Sequence, residues 1–189
     1  AIDPRPKFHL YKPHIALITG IAWDHMNVFP SFENYKEQFR KFIDQIEENG
    51  YLFYYKNDEH LLELVKQDNN PIQKTGYGTH AYSRLKNQTF LIDLDKKIPL
   101  NVFGEHNLQN ISGAKLVCNQ LDISDEEFYE AISHFKGASK RLEILAENAD
   151  CTIYRDFAHS PSKLQATVKA VREQFPNRKL TAIMELHTY

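Results

Sequence analysis

Residues 15–20 (IALITG) form an apolar run that ends in glycine. Apolar runs of this kind, without alternation, are typical of parallel strands that are buried on both faces by helices. We therefore predict an α/β fold in which residues 15–20 form a central parallel strand. Asp24 and His25 follow this strand, at the carboxyl edge where open α/β sheets bind their ligands.

The next segments alternate between helical and strand patterns. Ser31 is a suitable N-cap, and apolar side chains at helical spacing predict an amphipathic helix over residues 32–46 that ends at Asn49-Gly50. Residues 51–55 are predicted to form a strand, and residues 60–67 a short helix.

Residues 72–103 show runs of period two, with a turn at Lys86-Asn87. This alternation favours antiparallel strands, which we expect to be added to the parallel sheet. Helices are predicted to follow at residues 105–121 and, with a capping box formed by Ser124 and Glu127, at residues 125–134.

Residues 137–139 (GAS) are the best candidate for a linker, which predicts one domain over residues 1–137 and a second over residues 138–189. After it, residues 142–154 read as a hairpin turning at residues 148–150. A helix capped by Ser160 is predicted to run to Phe175, and residues 180–186 to form a strand.

Composition excludes several classes of partner. The formal charge of −2 comes with scattered Lys and Arg, so we expect no nucleic acid to bind. The longest apolar stretch, residues 15–23, is too short to cross a bilayer, and no membrane association is predicted. Cys118 and Cys151 are expected to be buried free thiols, which favours a cytoplasmic location. The oligomeric state is not predicted.

Three polar clusters in a fixed order suggest one dispersed nucleotide site: residues 104–110 (GEHNLQN), 140–143 (KRLE) and 156–161 (DFAHSP). His106, Asn107 and Asn110 fall at the start of a predicted helix, where backbone N–H groups are free. An Asn amide both donates and accepts, as the N6/N7 edge of adenine requires. For His106 and Asn107 alone, helix capping is the favoured alternative.

With residues 20–27 (GIAWDHMN), these clusters resemble the Mur ligase family, the ATP-dependent amide-forming enzymes of peptidoglycan synthesis. The family carries the motifs N-I-x-x-D-H-[MA]-[DN], G-x-H-N-x-x-N, an Arg-rich turn and D-[FY]-[AG]-H-x-P in this order, and the resemblance covers residues 15–189. It implies the latter half of a P-loop-type central ATPase domain, followed by the start of a Rossmann-like C-terminal domain.

The resemblance also implies roles for single residues. His25 corresponds to a ligand of a second Mg²⁺, Asp156 to the ribose contact, and His159 to a residue near the muramoyl carboxylate and the incoming amine. Arg40 stands where some branches carry a carbamylated Lys, so no carbamate is expected.

The residues themselves leave plainer alternatives open. His25 alone is better explained as a hydrogen-bonded His at a strand end, and Asp156 as an Asp that accepts turn hydrogen bonds. Arg141 suits a γ-phosphate contact because its guanidinium is planar and multidentate, but a solvated basic turn would look the same. Two departures from the family pattern are Arg155, at a frequent Asp, and Ser160, at a frequent His.

By resemblance, we expect Mg²⁺ and ATP to support ligation of the UDP-MurNAc carboxylate, as an acyl phosphate, to an amine. Residues 29–30 and 135–137 favour L-Ala-γ-D-Glu-meso-diaminopimelate as the amine. L-alanine is the runner-up, favoured by residues 187–189.

No G-x-x-x-x-G-K-[ST] loop occurs in the sequence. We therefore expect an internal piece of a longer ligase that is inactive alone. A non-catalytic nucleotide-binding module is the alternative from another class.

Overall fold

The computed structural model of the chain describes residues 5–185 and divides into two compact units. The first unit comprises residues 1–78 and 109–122, and the second comprises residues 79–108 and 123–189. This division does not coincide with the boundary expected after Gly137, which stays a prediction.

The first unit is built on a parallel sheet. Its strands have the order β1-β2-β3, with Ile15 opposite Tyr51 and Tyr51 opposite Gln73. A short 3₁₀ helix, Lys7–Leu10, precedes the sheet. The remaining elements are β1 (Ile15–Ile18), α1 (Phe32–Ile43), β2 (Tyr51–Tyr55), α2 (Glu59–Gln67) and β3 (Gln73–Tyr77).

The prediction that residues 15–20 form the central strand is wrong for the described residues. β2 is central, and its consecutive Leu52 and Phe53 are both buried, whereas burial alternates along β1. β3 was expected to be antiparallel, but it pairs in parallel with β2. Its alternating burial reflects its position at the edge of the sheet.

Side-chain hydrogen bonds lie at both ends of α1. The Ser31 hydroxyl accepts a hydrogen bond from the Asn34 N–H at 3.2 Å, which caps the start as predicted. The helix ends at Ile43 rather than Ile46, because the side-chain amide of Asn70 donates to the Ile43 carbonyl at 2.9 Å. Ile43 then packs with Leu52 and Leu61 in the centre of the core, all three fully buried.

The second unit contains two antiparallel sheets. The strands β4, β5 and β6 form one sheet, in which Lys86-Asn87 makes the predicted two-residue turn with Lys86 at φ 54°. Among the described residues these strands pair only with one another, so the expectation that they extend the parallel sheet is wrong. The elements are β4 (Tyr82–Leu85), β5 (Gln88–Asp93), β6 (Lys96–Leu100), α4 (Asp125–His134), β7 (Glu143–Glu147), β8 (Thr152–Arg155) and α5 (Pro161–Gln174).

The predicted hairpin corresponds to β7 and β8, and the capping box of α4 is present. Ser160 occupies the N-cap position of α5, but its side chain makes no capping hydrogen bond. Gln174, near the end of α5, is buried. Its side chain accepts from the Thr89 hydroxyl at 3.0 Å and donates to the Asn87 carbonyl at 2.6 Å, which joins α5 to the β4–β5 turn.

A long helix, α3 (Glu105–Gln120), begins in the second unit and continues in the first. No helix among residues 5–185 is long and apolar enough to cross a membrane.

Two other expectations fail. Cys151 is exposed beside the hairpin turn, and Cys118 is half-buried, so neither thiol is fully buried. Residues 180–185 form no strand, because no described strand pairs with them, and Ile183 is 97% exposed. Residues 186–189, including the expected family segment at 187–189, lie outside the described residues.

Gly50 immediately precedes β2 at a point where the backbone is closely packed. A Cβ at this position would lie 2.7 Å from the backbone carbonyl oxygens of both Glu47 and His14. We expect Gly50→Ala to lower the free energy of unfolding by about 1–3 kcal/mol in urea denaturation. Gly78→Ala is the matched control, since the nearest atom to its Cβ would be Lys56 Cε at 3.7 Å. Equal effects of the two substitutions would contradict this explanation.

Candidate functional site

Asp58 fixes the loop that follows β1. One carboxylate oxygen accepts from the Ile21 N–H at 2.7 Å, and the other accepts from the Leu61 N–H at 3.0 Å as the N-cap of α2. The same carboxylate thus starts a helix and holds the segment that leads to Asp24 and His25. The sequence analysis missed Asp58. Its only local signal was its N-cap position three residues before Leu61.

His25 lies at the tip of this loop in a left-handed conformation, with φ 55°. The Asp24 carboxylate accepts from the His25 N–H at 2.8 Å, and its other oxygen lies 4.0 Å from the imidazole Nε2. The His25 carbonyl accepts from the N–H groups of Val28 and Phe29. Left-handed backbone is uncommon outside glycine and often marks functional loops.

The donor set at this loop is compatible with Mg²⁺. Imidazole nitrogen alone would be an unusual ligand for a hard cation, but Asp24 adds the carboxylate oxygen that Mg²⁺ prefers. Asp24 is largely buried, with a side chain 17% exposed, whereas His25 is 60% exposed. The pair therefore offers one fixed oxygen and one accessible nitrogen.

Gly104 shapes the start of α3. Its φ of +91° favours glycine, and a Cβ there would lie 2.6 Å from the Ala170 Cβ and 3.0 Å from the His106 Cε1. The absence of a side chain thus lets α5 approach the start of α3 while the His106 ring folds back over Gly104. The glycine of the predicted motif has a structural reason within the second unit.

His106 is half-buried, which favours the uncharged form of its imidazole. Burial is the largest influence and lowers the pKa of its imidazole; Asp156 opposes this and raises the pKa, while Arg141 lowers it further. The two side chains are therefore close enough to His106 to act on its charge. A neutral imidazole can offer both a donor and an acceptor to a ligand.

The two asparagines of the motif differ. The side-chain amide of Asn107 donates to the Phe103 carbonyl at 2.7 Å, so part of its hydrogen-bonding capacity stabilises the helix start. Asn110 is exposed one turn further along, and among residues 5–185 its side chain makes no hydrogen bond. An N-cap side chain accepts from a backbone N–H, so this bond of Asn107 is not the helix capping that was the alternative for His106 and Asn107.

Arg141 lies at the tip of a strained turn. Its neighbours Lys140 and Leu142 have φ of 58° and 48°, and Leu142 is a bulky residue for which such backbone is costly. The Lys140 N–H donates to the Glu143 carboxylate at 2.8 Å. Within residues 5–185 the exposed Arg141 guanidinium makes no hydrogen bond or ion pair.

Asp156 holds this turn in place. One oxygen accepts from the Leu142 N–H at 2.8 Å, and the other accepts from the Ala158 N–H at 2.7 Å and the Thr167 hydroxyl at 3.3 Å. These are the turn hydrogen bonds that the residue type alone suggested. Asp156 therefore positions the segments that carry Arg141 and His159.

His159 and Arg155 complete the second unit's candidates. His159 is exposed, and its Nδ1 lies 2.9 Å from the Phe157 carbonyl. Arg155, one of the two departures from the expected pattern, forms an ion pair with Glu143 at 2.9 Å. The Lys140 backbone N–H, and then Arg155, lower the pKa of the Glu143 carboxyl.

The predicted residues thus fall in both units. His25 and Asn110 belong to the first, and the others belong to the second: His106, Asn107, Arg141, Asp156 and His159. Their proposed roles remain predictions.

Asp156 should matter without any ligand. In Asp156→Asn one acceptor oxygen becomes an NH₂ group that faces a backbone N–H, so we expect a loss of about 1–3 kcal/mol in the free energy of unfolding. Asp150→Asn, at the exposed hairpin turn, is the control and should change stability little. Urea denaturation of the nucleotide-free protein measures both. An equally small effect at Asp156 would contradict its positioning role.

His106 should make stability depend on pH. Its pKa is lower in the folded than in the unfolded state, so protonation below about pH 6.5 penalises the folded state, by up to about 1.36 kcal/mol per pH unit. This penalty is absent above that range and is removed by His106→Gln. We therefore expect the stability of the wild type relative to the variant to fall between about pH 7.5 and 5.5 in urea titrations.

His134→Gln, at the exposed end of α4, is the control and should leave this fall in place. A constant or rising difference between wild type and His106→Gln would contradict the burial of a neutral imidazole.

Comparison with known proteins identifies relatives of both parts of the chain. A profile of the Mur ligase middle domain matches residues 6–118, and a profile of the Mur ligase glutamate ligase domain matches residues 140–187. The UDP-N-acetylmuramate–L-alanine ligase of Aquifex aeolicus is 26% identical over 94% of this chain and 42% of the relative. That of Desulfitobacterium hafniense is 27% identical over 98% and 43%. The chain spans less than half the length of these relatives.

Solved structures share the fold. MurF from Acinetobacter baumannii superposes with a TM-score of 0.73 at 16% identity, covering 94% of this chain and 41% of that one. A murein peptide ligase from Psychrobacter arcticus superposes with a TM-score of 0.65 at 18% identity, covering 100% and 42%. The predicted α/β class is confirmed. Since a family profile matches more than half of its length, the chain belongs to the Mur ligase family.

Proposed function

We propose that this chain is part of an ATP-dependent ligase of peptidoglycan synthesis that joins the muramoyl carboxylate of UDP-MurNAc to L-alanine. The γ-phosphoryl group of ATP passes to the carboxylate, the amine attacks the acyl phosphate, and ADP and phosphate leave. The observation that carries the proposal is the start of α3, where Gly104, a neutral His106 and an exposed Asn110 follow the family motif.

The sequence-based expectation placed the tripeptide first and L-alanine second as the amine substrate. We propose the reverse order. L-alanine appears in the names of both relatives reported above from the sequence comparison, whereas the likeness to the murein peptide ligase is one of fold. The tripeptide L-Ala-γ-D-Glu-meso-diaminopimelate is therefore the second candidate. Its support is the local motifs at residues 29–30 and 135–137.

Adenine is assigned mainly to Asn110. Its amide is exposed and can present a donor and an acceptor together. The side-chain amide of Asn107 donates to the Phe103 carbonyl. We therefore assign Asn107 mainly to holding the start of α3 and only secondarily to adenine recognition. His106 contributes the neutral ring that lies against Gly104.

Phosphate contacts are assigned to Arg141. Its guanidinium is exposed, and the hydrogen bonds made by its neighbours hold the turn in one conformation before any ligand binds. Asp156 supports this turn and is proposed to contact ribose with its remaining acceptor capacity. His159 precedes the first turn of α5, whose N–H groups favour a carboxylate or phosphate.

Mg²⁺ is assigned to His25 together with Asp24. When bound, it would neutralise charge on the phosphates and on the carboxylate that accepts the phosphoryl group. The loop that cradles the phosphates, absent from residues 1–189, is proposed to come from elsewhere in the full-length protein. A cytoplasmic location is proposed with this function.

The first test is phosphate release by the full-length ligase with Mg-ATP and UDP-MurNAc. We expect release with L-alanine and little with the tripeptide. Release with the tripeptide alone would favour the second candidate. Release with neither amine would contradict the proposal and favour a non-catalytic nucleotide-binding module.

Arg141 gives the sharper test of the site. We expect Arg141→Ala to lower kcat by about 10²-fold or more, because a preorganised donor to a developing charge is lost. Arg172→Ala, at the exposed end of α5, is the control and should leave kcat unchanged. Equal activity of the two variants would contradict the assignment of Arg141.

A further inference from the structure

Tyr55, at the end of β2, holds α3 by a hydrogen bond. Its ring is buried, and its hydroxyl accepts from the side-chain amide of Gln109 at 2.7 Å. Asn57 donates to the same oxygen at 3.4 Å. All three residues lie in the first unit.

A second contact lies one helical turn further along α3. A Cβ at Gly113 would lie 2.8 Å from both the Leu17 Cδ1 and the Tyr77 hydroxyl, so the helix backbone approaches the sheet closely there. Gln109 and Gly113 are four residues apart and therefore share the face of α3 that packs on the sheet. Two points on one face fix both the distance and the rotation of the helix.

The rotation decides where Asn110 points. Asn110 follows Gln109 and lies about 100° around the helix from it. It is exposed, while Gln109 is held by Tyr55. Loss of the Tyr55–Gln109 bond would remove one of the two contacts that fix this rotation.

We propose that Tyr55 and Gln109 are positioning residues for nucleotide binding, because their hydrogen bond fixes the orientation of α3 that presents Asn110 to adenine. The inference rests on the proposed function of Asn110. Neither residue need touch the nucleotide.

Tyr77 provides an internal comparison. Its ring centroid lies 5.8 Å from that of Tyr55, and its buried hydroxyl has no hydrogen-bond partner among the described residues. Burial, with a smaller influence of Tyr55, raises the pKa of Tyr77 to about 12. The two tyrosines are thus neighbours at the same end of the sheet, and of the two only Tyr55 forms a hydrogen bond to α3 within the described part of the chain.

The binding experiment uses calorimetric titration of the full-length ligase with ATP. We expect Tyr55→Phe to weaken ATP binding about three- to tenfold, because the hydrogen bond that holds α3 is lost, with a smaller change in kcat. Gln109→Leu should have the same effect, and the double variant should bind no more weakly than either single one. Tyr77→Phe removes a hydroxyl that has no hydrogen-bond partner among the described residues, and it keeps the contacts of Gly113 with Leu17 and the Tyr77 ring, so it should leave the affinity unchanged.

Hydrogen–deuterium exchange of the nucleotide-free ligase gives a readout that needs no ligand. Backbone amides at residues 109–113 should exchange faster in Tyr55→Phe than in wild type or Tyr77→Phe. Equal ATP affinities of Tyr55→Phe and Tyr77→Phe, or additive effects in the double variant, would overturn the inference alone. A wild-type ligase that binds no ATP would overturn the proposed function, and the inference with it.

Discussion

Carboxylates that accept backbone N–H groups hold the loops on which the candidate site is built. Asp58 binds the N–H groups of Ile21 and Leu61, and Asp156 binds those of Leu142 and Ala158. Backbone N–H groups in irregular segments need acceptors, and a charged acceptor makes the stronger bond. Asp58 thus joins the loop after β1 to the start of α2, and Asp156 joins the turn that carries Arg141 to the segment before α5.

Such anchoring allows strained backbone at or beside the residues proposed to contact ligands. His25, Lys140 and Leu142 all have positive φ, and the backbone N–H of each donates to a carboxylate. Left-handed conformations cost about 1–3 kcal/mol each, and they persist only where surrounding contacts determine them. Arg141 thus lies on a turn that hydrogen bonds hold without a ligand, which would lower the entropic cost of the phosphate contact proposed for it.

Local patterns predicted the local structure of this chain well. The capping box of α4, the Lys86-Asn87 turn and the β7–β8 hairpin depend on residues within a few positions of one another. Pairing between distant strands was predicted less well: β2 and not β1 is central, β3 is parallel, and residues 180–185 form no strand. Those outcomes depend on neighbours that no single segment encodes.

The motifs predicted the candidate site residues, but not the contacts that hold these residues in place. Asp58 lies 37 residues from Ile21, and Tyr55 lies 54 residues from Gln109, so no local pattern could connect either pair.

The central claim is that the start of α3 receives the adenine of ATP. Photolabelling of the full-length ligase with 8-azido-ATP, followed by mass spectrometry of the labelled peptide, tests this most directly. We predict labelling within residues 104–110 that excess ATP prevents, and ATP-protected labelling confined to other segments would contradict the claim.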